Sequence, residues 1–221
     1  MLILFIVLCS TRLHAPVGDS YPQLFKDTIM QMDSFPVKEL TQKLLEFYIS
    51  EELRKYRRAK SLVSTLVSLS WVAYGMVFLE DDSEQTHQNI SDQALLLLLA
   101  LISDSEENPF LTSLCGCYDI NFLLQSSNEE SAIHISYSEL YDTISSLLFV
   151  NGRCESLLLL SYLLQRNSLF LSYVLSRSDL EVMVVPLLRI MYNCATETHS
   201  KYTVDHILMV STILLIFTHD N

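Results

Sequence analysis

Cysteine and histidine are the residue types here best suited to hold a metal or to serve as nucleophile and base, and the chain has five of the first and six of the second. Cys115 and Cys117 form a C-x-C pair. A structural zinc site draws four converging ligands, usually from two such pairs, and no second cysteine or histidine pair stands at that spacing. His134 is too isolated to complete a site, so no metal is expected. Cys9, Cys154 and Cys194 lie in apolar context, where a thiol behaves as a small hydrophobe. An odd number of scattered cysteines fits a reducing compartment. His206 stands at the head of an apolar run and reads as a core or boundary residue rather than a base. G-x-S-x-G, P-loop, H-E-x-x-H and paired-carboxylate patterns are all absent from the sequence, so catalytic residues: none, cofactors: none, and no enzyme is expected.

Charge is distributed unevenly. The net charge is −12. Between Lys60 and Arg153 there is no Lys or Arg, and thirteen of the twenty-six acidic residues fall in that stretch, from Glu80 to Asp142. A polyanion would be repelled there, which excludes nucleic acid as a partner. The acids either solvate loops or offer a docking surface to a basic partner. Five of the fourteen basic residues cluster at Arg54, Lys55, Arg57, Arg58 and Lys60. Such a cluster could touch anionic lipid headgroups weakly, or be only the solvated face of a helix.

The elements carrying these residues are helices. Half of the residues are hydrophobic, while glycine occurs four times and proline five. β-rich and nucleotide-binding α/β folds need more left-handed turns and glycine loops than this chain can supply. Leu2 to His14 is apolar nearly all round, which predicts a buried helix. A second helix runs from Pro22 to about Asp33, and a third carries Val37, Leu40, Leu44 and Tyr48 on one stripe. Glu51 opens a longer helix that continues to Leu79. Residues 80–91 read as an exposed acidic linker. Asp92 caps the run Gln93 to Ile102, whose five consecutive leucines leave no polar face and demand enclosure by neighbours. Phe110 to Cys117 suggests a short helix, and 118–135 is the least regular stretch. Ser136 with Glu139 and Ser178 with Glu181 match the S-x-x-E capping box. They introduce helices from Ser136 to about Val150 and from Ser178 to about Cys194, the latter kinked or split at Pro186. Arg153 to Gln165, Ser168 to Leu175 and Thr203 to Phe217 complete the set.

These patterns predict an all-α fold of about nine or ten helices and no sheet. The organisation expected is a helical solenoid of antiparallel helix pairs, with N-terminal helices in 1–79, a linker in 80–91 and C-terminal helices in 92–221. The opening Met1 to Leu8 looks like a signal core, and Leu13-His14-Ala15 like a cleavage site. The apolar run is short, however, and lacks a basic flank. Leu157 to Leu164 and Ile207 to Phe217 fall well short of the roughly 20 residues of a spanning helix. All of these read as core helices. The alternative is a secreted or membrane-anchored helical protein using residues 1–15 as signal or anchor, in which case the sequon Asn89-Ile90-Ser91 could carry a glycan.

Particular blocks point further. Asn89-Ile-Ser-Asp-Gln-Ala-Leu-Leu-Leu-Leu-Leu-Ala-Leu101 with Asn108-Pro109, Ile135 to Tyr141, Leu157 to Asn167, Tyr173 to Glu181 with Val185 to Tyr192, and Ile213 to Asp220 resemble successive segments of the dymeclin family. The resemblance is specific over about 90–220 and looser before Gly75. It implies an armadillo/HEAT-like fold and a scaffold without catalytic residues. It also implies a peripheral membrane protein that moves between cytoplasm and Golgi apparatus, supports Golgi organisation and secretory trafficking, and works through protein partners of that machinery. Family members are longer at both ends and begin Met-Gly, an N-myristoylation acceptor, whereas Leu2 follows Met1 here. A fragment or a truncated gene model is the expectation.

Overall fold

The computed structural model describes residues 2–9, 24–32, 36–64, 90–103, 108–121, 133–150, 153–196 and 204–219, with the backbone alone at 2, 24, 51–64 and 149–150. Among the described residues there are ten helices: α1 (Leu2–Cys9), α2 (Leu24–Gln31), α3 (Val37–Ser64), α4 (Ile90–Ile102), α5 (Pro109–Cys115), α6 (Tyr137–Val150), α7 (Cys154–Arg166), α8 (Ser168–Leu175), α9 (Glu181–Thr196) and α10 (Val204–His219). The expected absence of a sheet needs correction. Tyr118–Asp119 (β1) and His134–Ile135 (β2) form a two-residue parallel bridge, with Tyr118 opposite His134.

Packing divides the chain into two compact units, Met1–Tyr48 with Gln88–Ile135, and Ile49–His87 with Ser136–Asn221. In the first, α1 packs on α4 and α2, and α4 packs on α5. Phe5 and Phe25 meet edge to face at 5.7 Å, the arrangement aromatic quadrupoles favour. The leucine run of α4 is enclosed as its composition requires. Leu95, Leu97, Leu98 and Leu99 are buried, and Leu96 alone opens to solvent, at 36%. The helix begins at Ile90, so Asp92 lies in its first turn rather than at its cap, where a carboxylate still meets the positive end of the helix dipole. Of the expected linker 80–91, only Ile90 and Ser91 fall among the described residues, as the start of α4.

The far end of α4 is closed by side chains. Lys26 of α2, almost wholly buried, donates to the carbonyls of Ala100 and Ser103 and to Ser103 Oγ, placing an ammonium on carbonyls that no helical donor reaches. Asn108 joins this end to α5. Its Nδ2 donates to Leu101 O at 2.6 Å, and its Oδ1 accepts from the amides of Phe110 and Leu111 at 2.9 and 3.4 Å. Pro109 follows at the first helical position, where its missing N–H costs nothing.

α3 is one helix where two were expected. The shift to charged residues at Glu51 alters polarity but not helix propensity, since Glu, Leu, Arg, Lys and Ala are all good helix formers. Among its described side chains, 37–50, the buried ones are Thr41, Leu44, Leu45, Tyr48 and Ile49, so the inward stripe is turned from the one expected: Val37 and Leu40 are half-exposed.

In the second unit, α6 packs on α7, α8 and α9, α7 also on α8 and α10, and α9 on α10. Ser136 Oγ accepts from the Glu139 amide at 3.2 Å, the first half of the expected capping box. The second box does not form at its expected place. α9 opens at Glu181, which leaves Ser178 in the preceding turn. Pro186 does not split α9. Lying inside the helix, it removes one amide donor and is buried. Asn167 serves two helices: its N–H bonds Leu163 O at the end of α7, and its Oδ1 accepts from Phe170 N at the start of α8. The expected 168–175 helix has the bounds observed.

Candidate functional site: an arginine clasp and two open apolar faces

Where α6, α8 and the turn before α9 meet, aromatic residues accumulate. Tyr137 lies edge to face on Phe170 at 5.2 Å and on Tyr173 at 5.6 Å, with its hydroxyl 3.3 Å from Asn167 Nδ2. One turn further along α6, Tyr141 lies beneath Arg177, whose guanidinium carbon is 4.2 Å from the ring centroid. Arg177 grips Asp179 with both Nε and Nη2 at 2.7 Å, and its Nη1 donates to Tyr173 Oη at 2.8 Å. Asp142 stands 3.8 Å away. Tyr141 Oη donates to Asp179 O at 3.1 Å, closing the loop.

The electrostatics follow from this geometry. The Arg177 hydrogen bonds hold the Asp179 carboxyl below the usual carboxylate range, and the same bonds push Arg177 further into its charged form. Burial first, and the Asp179 charge second, raise Tyr141 to about 12. A planar fork on a carboxylate, stacked on one ring and bonded to a second phenol, uses the geometry particular to arginine. The cluster is satisfied within itself. It fastens three elements, α6, α8 and the turn before α9.

Exposed apolar side chains form rows on α9 and α10. α9 buries Met183, Pro186, Leu187 and Ile190, and exposes Val182, Val185, Leu188 and Tyr192 along another side. α10 buries His206, Val210, Ile213 and Phe217, and exposes Val204, Leu208 and Leu215, the first at 71% and the last at 66%. Single exposed apolar residues are ordinary, whereas two helices each carrying an apolar row at helical spacing mark surfaces for contact. α1 exposes Ile3, Leu4 and Val7 in the other unit.

The residues singled out from the sequence fall as follows. Arg54, Lys55, Arg57, Arg58 and Lys60 lie on α3, and their side chains are outside the described residues. The β1–β2 bridge sets His134 opposite Tyr118, the residue after Cys117, so topology draws it toward the C-x-C pair. Among the described residues, no group of three or more His, Cys, Asp or Glu could hold a metal ion. His134 Nδ1 is buried without a hydrogen-bond partner among them. No disulfide links the cysteines among the described residues. His206 is a buried residue of α10, as its apolar context suggests. Asn89 lies outside the described residues, as do 10–23 and 65–89. Among the described residues, no helix is long and apolar enough to cross a membrane.

Sequence reasoning missed Arg177 and Lys26 as fastening residues, because their partners lie on other elements. Asn108 and Asn167 were within reach: an Asn directly before Pro109 or Ser168 at the head of an apolar run is an N-cap signal.

Comparison with known proteins completes the site. No solved structure matches the chain. Dymeclin of Drosophila melanogaster is 33% identical over 140 residues, which are 62% of this chain and 18% of that protein. Dymeclin of Dictyostelium discoideum is 31% identical over 164 residues, 73% of this chain and 17% of that one. For Xenopus laevis dymeclin the figures are 34% over 137 residues, 60% and 19%. The matched region thus spans about a fifth of these relatives' length. The family described as "Dymeclin: Dyggve-Melchior-Clausen syndrome protein" matches residues 1–221, the whole sequence. By that match and these relatives, the chain belongs to the dymeclin family.

Proposed function

We propose that this chain is part of a non-enzymatic scaffold that supports Golgi organisation and secretory membrane trafficking. It acts from the cytoplasm and the Golgi surface as a peripheral protein. The helices stack as armadillo/HEAT-like antiparallel pairs, a design in which each pair contacts its neighbours and outer faces receive partners. Family membership supports the trafficking role. The observation that carries the scaffold reading is the pair of apolar rows, Val182–Val185–Leu188–Tyr192 on α9 and Val204–Leu208–Leu215 on α10. Partners are proteins of the trafficking machinery that bury these rows, and Arg54, Lys55, Arg57, Arg58 and Lys60 add a weak contact to anionic lipid.

The test is complementation. Cells depleted of their own dymeclin receive a full-length protein carrying this region, either unchanged or with Val185→Asp and Leu208→Asp. Both substituted positions are exposed, so thermal stability should hold. The unchanged protein should restore compact Golgi and normal secretion, and the double variant should not. Full restoration by an equally stable double variant would overturn the reading.

A further inference from the structure

α10 turns four side chains inward at helical spacing, His206, Val210, Ile213 and Phe217, and only the first can take a proton. His206 is 8% exposed. Two helices, α7 and α9, pack on α10. At its start α7 brings Cys154 and Glu155, with Tyr162 and Arg166 further along; Glu155 acts on both His206 and Cys154, as does Asp205 of α10 itself. α10 thus packs on α7 with charges from both helices acting on His206. α9 brings Glu181, Arg189 and Tyr192, all exposed, and Cys194. Burial raises Cys154 and Cys194 and lowers His206, and for His206 the opposing pull of Asp205 and Glu155 is the smaller influence.

We propose that His206 makes α10 an acid-released helix, docked on α7 and α9 while its imidazole is neutral and loosened when the imidazole takes a proton. Release exposes Val210, Ile213 and Phe217, which α7 and α9 otherwise cover. The idea does not rest on the trafficking role. The sign follows from proton linkage. A histidine whose proton affinity is lower when docked gives docking its full strength above the ordinary imidazole value, about 6.5. That strength declines as pH falls below this value and levels off once the docked form is itself protonated. Within this window the ratio of undocked to docked helix rises with falling pH, by at most about tenfold per pH unit.

Hydrogen exchange on the 221-residue chain at pH 7.5, 6.5 and 5.5, corrected for intrinsic exchange rates, tests the proposal. Amides of α10 should lose protection by up to about fivefold between pH 6.5 and 5.5, while those of α6 and α8 hold. His206→Gln, which bears no charge at either pH, should keep its α10 protection constant. Unchanged protection in the native chain would overturn the proposal, and so would an equal loss in the variant. Should the Gln variant fail to fold, NMR titration of the native His206 ring decides. A midpoint at or above the ordinary value would overturn the proposal, and one below it is expected.

Discussion

Arg177 shows how much can depend on one side chain whose neighbours are chosen for it. Lysine could keep the charge but would lose the two-point grip on Asp179 and the stacking on Tyr141. Glutamine would also leave Asp179 without its cation. The Arg177 side chain is about one-fifth exposed and that of Asp179 about two-fifths, so solvent screens much of the ion pair and the lower part of the usual range applies. Hydrogen bonds to charged groups contribute about 1.5–3 kcal/mol, so Arg177→Gln should cost on the order of 2 kcal/mol in urea unfolding, with Arg177→Lys in between. Acid gives an independent check. The Asp179 pKa is depressed by Arg177, so its contribution is present above the ordinary carboxylate value and is lost as pH falls through the depressed one. The native chain should therefore lose stability below about pH 4 more steeply than Arg177→Gln, which has already given up that contribution. Parallel acid profiles for the two proteins would show that the clasp does not stabilise the fold. None of this was legible in Ser176-Arg177-Ser178-Asp179 alone, because the rings that complete the clasp come from Tyr141 and Tyr173.

At the scale of elements, legibility followed local chemistry. α8 has its expected bounds because Asn167 marks its start within the sequence itself. The enclosure of α4 was legible because five leucines in a row leave a helix no polar side. What escaped was the orientation of each helix. Leu96 is chemically identical to its four neighbours, and only packing by α1 and α5 decides that it alone faces outward. The turned stripe of α3 and the β1–β2 bridge escaped for the same reason, since both depend on partners distant in sequence. Mutagenesis should separate these leucines. Leu98 is fully buried, so Leu98→Ala leaves a cavity and should cost about 2–5 kcal/mol. Leu96→Ala removes a side chain already partly in water and should cost under about 1 kcal/mol. Thermal denaturation of the two variants side by side is the measurement, and equal losses would contradict the burial assigned to α4.

For the whole molecule the decisive quantities are charge and exposed apolar surface, and they make opposite demands on a membrane. A net charge of −12 repels anionic lipid, while the five basic residues of α3 attract it. Successive helical positions turn by about 100°, so Arg54, Lys55, Arg57, Arg58 and Lys60 occupy positions over more than half of the circumference of α3. A flat surface therefore cannot meet all five positions at once. Each basic residue near an anionic surface contributes about 1 kcal/mol, and the attraction extends only about 10 Å at 0.1 M salt and about 3 Å at 1 M. The chain should accordingly float weakly with anionic liposomes at low salt and not at all at high salt. With all five residues changed to Gln it should not float at either. Salt-resistant flotation of both proteins would mean that apolar rows, Ile3–Leu4–Val7 of α1 or Val204–Leu208–Leu215 of α10, enter the lipid themselves. The same rows cannot then serve as faces for protein partners, and a membrane-inserted role would replace the peripheral one.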